Sequence, residues 1–159
     1  MVKRIGWICG ALLAVTTATA SAQQRLIQVG GHAGFLDGGE GFAGGQVAVR
    51  ILPQVVGYVT GTSRTASQPG NIEIYEAGLR LMLLSGPVSP YLLGGFTVEH
   101  DESPFPSGTV TDDHAGGHFG AGMEAGRGWL RPFVEARGYK AGGGVVGLFW
   151  GGIRIGFGR

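Results

Sequence analysis

The chain has 159 residues, with 12 lysines and arginines against 11 acidic residues and 43% hydrophobic composition. Its single cysteine excludes an internal disulfide framework. Near-neutral charge without a basic stripe excludes a nucleic-acid partner.

The first segment reads as a targeting signal, separate from the fold. Lys3 and Arg4 form a basic start, Ile5 to Val15 is apolar, and Ala20-Ser21-Ala22 supplies small residues at a cleavage position. That is the layout of a secretory signal peptide over residues 1–22, cut after Ala22. The apolar run is shorter than the ~20 residues of a membrane-anchoring helix, the alternative reading. Cys9 precedes the position of a lipoprotein acceptor. Residues 23–159 form one domain, with 10 basic against 11 acidic residues, no cysteine and 31 glycines. Nowhere in it do 18 apolar residues run together. Glycine spread through alternating segments argues against long helices, each interior glycine costing about 1 kcal/mol relative to alanine.

Eight segments follow, each bounded by turn-forming residues: 25–36, 41–51, 55–63, 72–83, 90–99, 115–125, 131–140 and 145–157. Most are longer than ordinary strands and match the 9–11 tilted residues that cross a bilayer. The second, fourth and sixth connections are short: Leu52-Pro53-Gln54, Leu84 to Ser89, and Gly126 to Leu130. The fifth, His100 to His114, is the longest and reads as a solvated loop carrying Asp101, Glu102, Asp112 and Asp113. Short turns on one rim and longer loops on the other mark an outer-membrane barrel. Termini on the short-turn side require an even strand number. The expected fold is all-β, an eight-stranded antiparallel up-and-down transmembrane barrel.

Alternation separates two faces. One carries Val47, Val49, Leu79, Leu81, Leu92, Phe96, Val98, Phe119, Met123 and Ile153. The other carries Gln28, His32, Gln46, Arg50, Glu76, Arg80, Glu99, Glu124, Glu135, Arg137 and Arg154. A soluble barrel or sandwich would bury the first set; a membrane barrel would bury the second. Export, strand length and loop asymmetry favour the membrane arrangement. Phe35, Tyr91, Trp129, Tyr139 and Phe157, at strand ends, are candidate interfacial girdle residues.

Three stretches carry a family resemblance. Pro90-Tyr91-Leu92-Leu93-Gly94-Gly95-Phe96 and Arg131-Pro132-Phe133-Val134-Glu135-Ala136-Arg137-Gly138-Tyr139 resemble strands of outer-membrane barrels of the OmpA-like kind. Gly151-Gly152-Ile153-Arg154-Ile155-Gly156-Phe157 resembles their terminal strand, although Gly158 and Arg159 follow the last aromatic here. The resemblance implies a fold and an address more than an activity. It also implies dealings with periplasmic chaperones, the barrel-assembly machinery and outer-membrane lipid.

The expected lumen set pairs Arg50, Arg80, Arg137 and Arg154 with Glu76, Glu99, Glu124 and Glu135. An eight-stranded interior is just wide enough for side chains to fill it, and buried charges must pair. Equal signs predict a closed plug; a channel would show one sign around a wider pore. His100, Asp101, Asp112, Asp113 and His114 match no metal-ligand spacing. Ser63, Ser103, Ser107, His100 and His114, with Asp112 or Glu102, form no recognisable nucleophile–base–acid set. The reading is a monomer without cofactor, metal or catalytic residue, structural or surface-interacting in role. A lipid-modifying outer-membrane enzyme and a soluble periplasmic barrel that binds a ligand are the alternatives. The acidic loop, with Asp37 and Glu40 of the first connection, offers a surface for a partner or for divalent cations bridging lipopolysaccharide.

Overall fold

The computed structural model describes residues 25–36, 39–64, 71–105, 108–141 and 144–158; residues 1–22, read above as a signal, Asp37, Ser107 and Arg159 lie outside them. Eight strands run in order: β1 (Ile27–Leu36), β2 (Gly41–Leu52), β3 (Val55–Arg64), β4 (Asn71–Met82), β5 (Val88–Phe105), β6 (Gly108–Ala125), β7 (Leu130–Ala141) and β8 (Gly144–Phe157). Each pairs antiparallel with the next, and β8 closes on β1. A register line leaving β8 at Gly156 passes Gln28, Ala48, Tyr58, Gly78, Gly95, His118 and Tyr139. It returns to β8 at Val146, ten residues from its start. That shear tilts the strands and sets the bore.

The expected fifth loop is instead a hairpin. Pairing of β5 with β6 continues from Glu99↔His114 through Asp101↔Asp112 to Phe105↔Gly108. Alternation could not reveal it, because a two-stranded projection buries neither face and so needs no apolar residues on either. Among the described residues β4 pairs with β5 as far as Glu102, and Pro104 stands opposite Thr109 beyond that point.

The ten apolar residues assigned to one face all point away from the lumen and are 44 to 79% exposed. The opposite face fills the bore. Of the aromatics at strand ends, Phe35, Trp129 and Phe157 are exposed, but Tyr91 and Tyr139 are buried in the lumen and belong to no girdle. The parity of their own strands puts them there, beside Leu93 on β5 and Arg137 on β7.

Close strand approach depends on glycine. A Cβ on Gly152 would lie 2.1 Å from the Gly31 carbonyl oxygen across the β1–β8 seam. Backbone cannot swing aside as a side chain can. Gly152→Ala is therefore expected to impair closure, seen as loss of the compact, heat-modifiable band on a gel.

Candidate functional site

The lumen holds a cluster of buried charges drawn from β4, β6, β7 and β8. Glu135 is its centre. It accepts hydrogen bonds from Tyr91 Oη at 2.6 Å, Trp150 Nε1 at 2.8 Å and Arg137 Nε at 2.9 Å, and it is ion-paired to both Arg137 and Arg154. Gly122 makes room for this centre, since a Cβ there would meet Tyr91 Oη at 2.6 Å and Glu135 Cγ at 2.7 Å. Arg137 also pairs with Glu76, which accepts from Thr60 Oγ1 at 2.8 Å. Arg154 reaches Glu124 at 3.2 Å, Gln46 Oε1 at 3.2 Å and Tyr91 Oη at 3.1 Å. The arginines lie over aromatic faces, Arg154 at 3.5 Å from the Phe133 ring and Arg137 at 4.4 Å from Trp150. Two histidines brace the cluster. His118 sits between Tyr58 Oη at 2.5 Å and Thr97 Oγ1 at 2.8 Å, and His32 Nε2 is 2.8 Å from Thr62 Oγ1.

The other expected lumen residues are placed differently. Arg80 is fully buried, but among the described residues it makes no ion pair. Its Nη2 donates to Gln46 Oε1 at 3.0 Å, its guanidinium lies 5.1 Å from the Tyr58 ring, and its Nε and Nη1 have no protein partner. Arg50 is half-buried at the short-turn mouth, donating to the Pro53 carbonyl at 2.5 Å. Glu99 is half-buried towards the opposite end, hydrogen-bonded by Tyr139.

Arg131 is the missed member. It is buried and ion-paired to Glu124, and its Nη2 donates to the Gly126 carbonyl at 3.2 Å. Its parity with Phe133, Glu135 and Arg137 was the available signal. Its inclusion breaks the expected equality, because four buried arginines (Arg80, Arg131, Arg137 and Arg154) face three buried glutamates (Glu76, Glu124 and Glu135). The surplus charge sits at Arg80, where aromatic faces and an amide take the place of a carboxylate.

An apolar layer bounds this cluster at the long-loop end. Towards the long-loop end Phe42, Ile74, Tyr139 and Leu148 pack together, joined by Leu36, Ile72 and Val146. Towards the short turns, Ala48, Val56, Met82 and Leu93 pack with Tyr58 and Tyr91, and the Glu124–Arg131 pair lies at the rim. The buried ionic cluster holds its geometry, since moving any charge would strand its partner.

The hairpin carries the surface residues. Asp112 and Asp113 are exposed, and Asp101 and Glu102 half-buried. His100 Nδ1 is 2.6 Å from Asp113 and its Nε2 3.5 Å from Glu102, while His114 lies 3.3 Å from Asp112. The Asp113 hydrogen bond, with Glu102 beside it, raises the His100 pKa above the ordinary 6.5. The charged form is favoured, so the contact is complete below that value and loosens as pH rises through the raised one. His100 is therefore expected to titrate above 6.5 by NMR, and to fall back towards it in Asp113→Asn. Among the described residues, no group of three or more His, Cys, Asp or Glu is placed to hold a metal ion. Of the candidate nucleophiles, Ser63 is exposed at the end of β3, and the side chains of Ser103 and Ser107 lie outside what the structure describes.

No family model matches the sequence, and no curated protein matches it. Solved structures do. The N-terminal β-barrel domain of Pseudomonas aeruginosa OprF superposes with a TM-score of 0.67 at 12% identity, over 82% of this chain and 96% of that one. Ail, the attachment invasion locus protein of Yersinia pestis, gives 0.60 at 16% identity, over 81% and 96%. The de novo designed TMB2.3 gives 0.54 at 16% identity, over 85% and 96%. At these identities the likeness is one of fold: this chain shares with them a closed antiparallel barrel, here of eight strands.

Proposed function

We propose that this chain is a bacterial outer-membrane protein, inserted as a monomeric barrel with a closed, charge-paired lumen and a structural or surface-interacting role. The observation that carries the reading is the inversion of polarity. Arginines and glutamates fill the bore while Val47, Leu79, Leu92, Phe96 and Phe119 stand exposed around the outside. Water would penalise such a surface, a continuous apolar belt far larger than soluble monomers expose. Hydrocarbon does not. Residues 1–22 serve as the export signal, and periplasmic chaperones and the barrel-assembly machinery deliver the mature chain. On this orientation the short turns face the periplasm and the β5–β6 hairpin faces outward.

The closed lumen is supported by the ion-paired and apolar side chains that pack across the bore. Steady ion-selective conductance in planar bilayers would overturn that part. Surface interaction is supported by the hairpin, which projects an acidic ladder past the belt. The membrane reading is tested by fractionation with heat-modifiable gel mobility. The expected result is an outer-membrane band that shifts on boiling; migration as an ordinary soluble periplasmic protein would sink it.

A further inference from the structure

Past the barrel wall, among the described residues, β5 and β6 continue as a pair alone. β4 pairs with β5 as far as Glu102, and β7 pairs with β6 from His118 to Glu124, whereas the β5–β6 ladder runs on to Phe105↔Gly108. A two-stranded ribbon is marginally stable at best in water. The groups at its base therefore decide whether it stays paired.

That base is crowded with carboxylates, and one imidazole stands among them on each face. On one face Glu73 of β4, His100 of β5 and Asp113 of β6 form a cross-strand row, with Glu102 two residues further along β5. His100 Nδ1 is 2.6 Å from Asp113 and its Nε2 3.5 Å from Glu102. Glu73 accepts from Tyr75 Oη and Asn71 Nδ2, so its own partners are neutral. On the other face His114 stands opposite Glu99, and two residues further along comes the pair Asp101↔Asp112. His114 Nε2 is 3.3 Å from Asp112. Like charges directly across a ladder destabilise it. Two fixed cations come from β3 and β7. Arg64 pairs with Glu40 at 3.0 Å, and Lys140 stands exposed beside Gly116, where a Cβ would lie 3.5 Å from its own.

We propose that this ribbon is a pH-operated projection, paired while His100 and His114 carry protons and frayed from its base once they lose them. Protonated, each imidazole gives the carboxylates on its face a cation; neutral, it leaves them to repel one another. Exposed charge pairs are weak singly, but weak interactions suffice to tip a marginal ribbon. For His100 the sign follows from its partners. The Asp113 hydrogen bond, with Glu102 beside it, raises its pKa above 6.5. Its stabilising contribution is thus complete below 6.5 and is lost as pH rises through the raised value. The device goes beyond the membrane reading and works whichever way the hairpin faces. With the outward orientation, it makes the exposed surface answer to external pH.

The barrel chain, residues 23–159, contains no cysteine, so a nitroxide on Val110→Cys reports on the ribbon alone. Val110 is 54% exposed and lies opposite Ser103, past the last pair between β4 and β5. Spin-label spectra are recorded at about pH 5.5 and about pH 8.5 in zwitterionic micelles, whose charge is constant over that range. The expected result is a mobile component that grows about two- to fivefold for each imidazole deprotonated. In His100→Gln/His114→Gln the label should be mobile at both pH values. In Asp101→Asn, which removes the like-charge contact and keeps both imidazoles, it should stay ordered at the higher pH. Identical spectra of the parent at the two pH values, or a pH response that survives loss of both imidazoles, overturns the proposal. So does an Asp101→Asn ribbon as mobile at the higher pH as the parent.

Discussion

Glu135→Leu is expected to lower the unfolding free energy of the barrel by about 3–5 kcal/mol, the cost of stranding buried charge. Glu135 is the carboxylate shared by Arg137 and Arg154, and it also accepts from Tyr91 and Trp150. Its loss leaves Arg137 with Glu76 and Arg154 with Glu124, both already engaged elsewhere. Urea unfolding of the barrel in vesicles, followed by tryptophan fluorescence, measures the change. Arg80→Met is the contrasting case. Among the described residues Arg80 has no carboxylate partner, and it lies opposite Val56 and Leu93 on the neighbouring strands, so an unbranched apolar side chain should change stability by no more than about 1 kcal/mol. Equal losses from the two substitutions would mean that ion pairing does not organise the lumen.

Leu79→Arg tests the other face. Leu79 is exposed near the middle of β4, flanked across the strands by Gly57 and Gly94. In a bilayer an arginine there is expected to cost about 2–4 kcal/mol. Leu79→Ile should be near neutral, so the pair isolates charge from packing. The same unfolding experiment checks it, and an unchanged midpoint for Leu79→Arg would show that this surface does not meet hydrocarbon.

Much of this architecture was legible because a barrel with a polar bore and an apolar outside encodes itself with period two. Each strand on the sequence reading lies within three residues of the observed boundaries except at the β5–β6 hairpin, where Asp101, Glu102, Asp112 and Asp113 read as loop. Those residues are strand because their neighbours pair, and pairing between distant segments leaves no mark on local hydropathy. The misassigned Tyr91 and Tyr139 show a related limit. An aromatic near a strand end suits either a headgroup girdle or a lumen, and only its register decides. Arg131 sat at a strand boundary, where one residue of uncertainty hides a lumen position.

From sequence alone followed the all-β class, the eight strands and the assignment of Arg50, Glu76, Arg80, Glu99, Glu124, Glu135, Arg137 and Arg154 to one face. Alternation is a property of each strand, so it needs no knowledge of the others. Which of those charges meet was decided only when closure with a shear of ten brought β4, β6, β7 and β8 around one bore. Closure centred the network on Glu135 and drew in Arg131. It also left Arg80 to aromatic faces and set Arg50 and Glu99 at opposite ends. The physical reason is range: a strand's own pattern says which way a side chain points, whereas its partner depends on the tilt and stagger of the whole barrel.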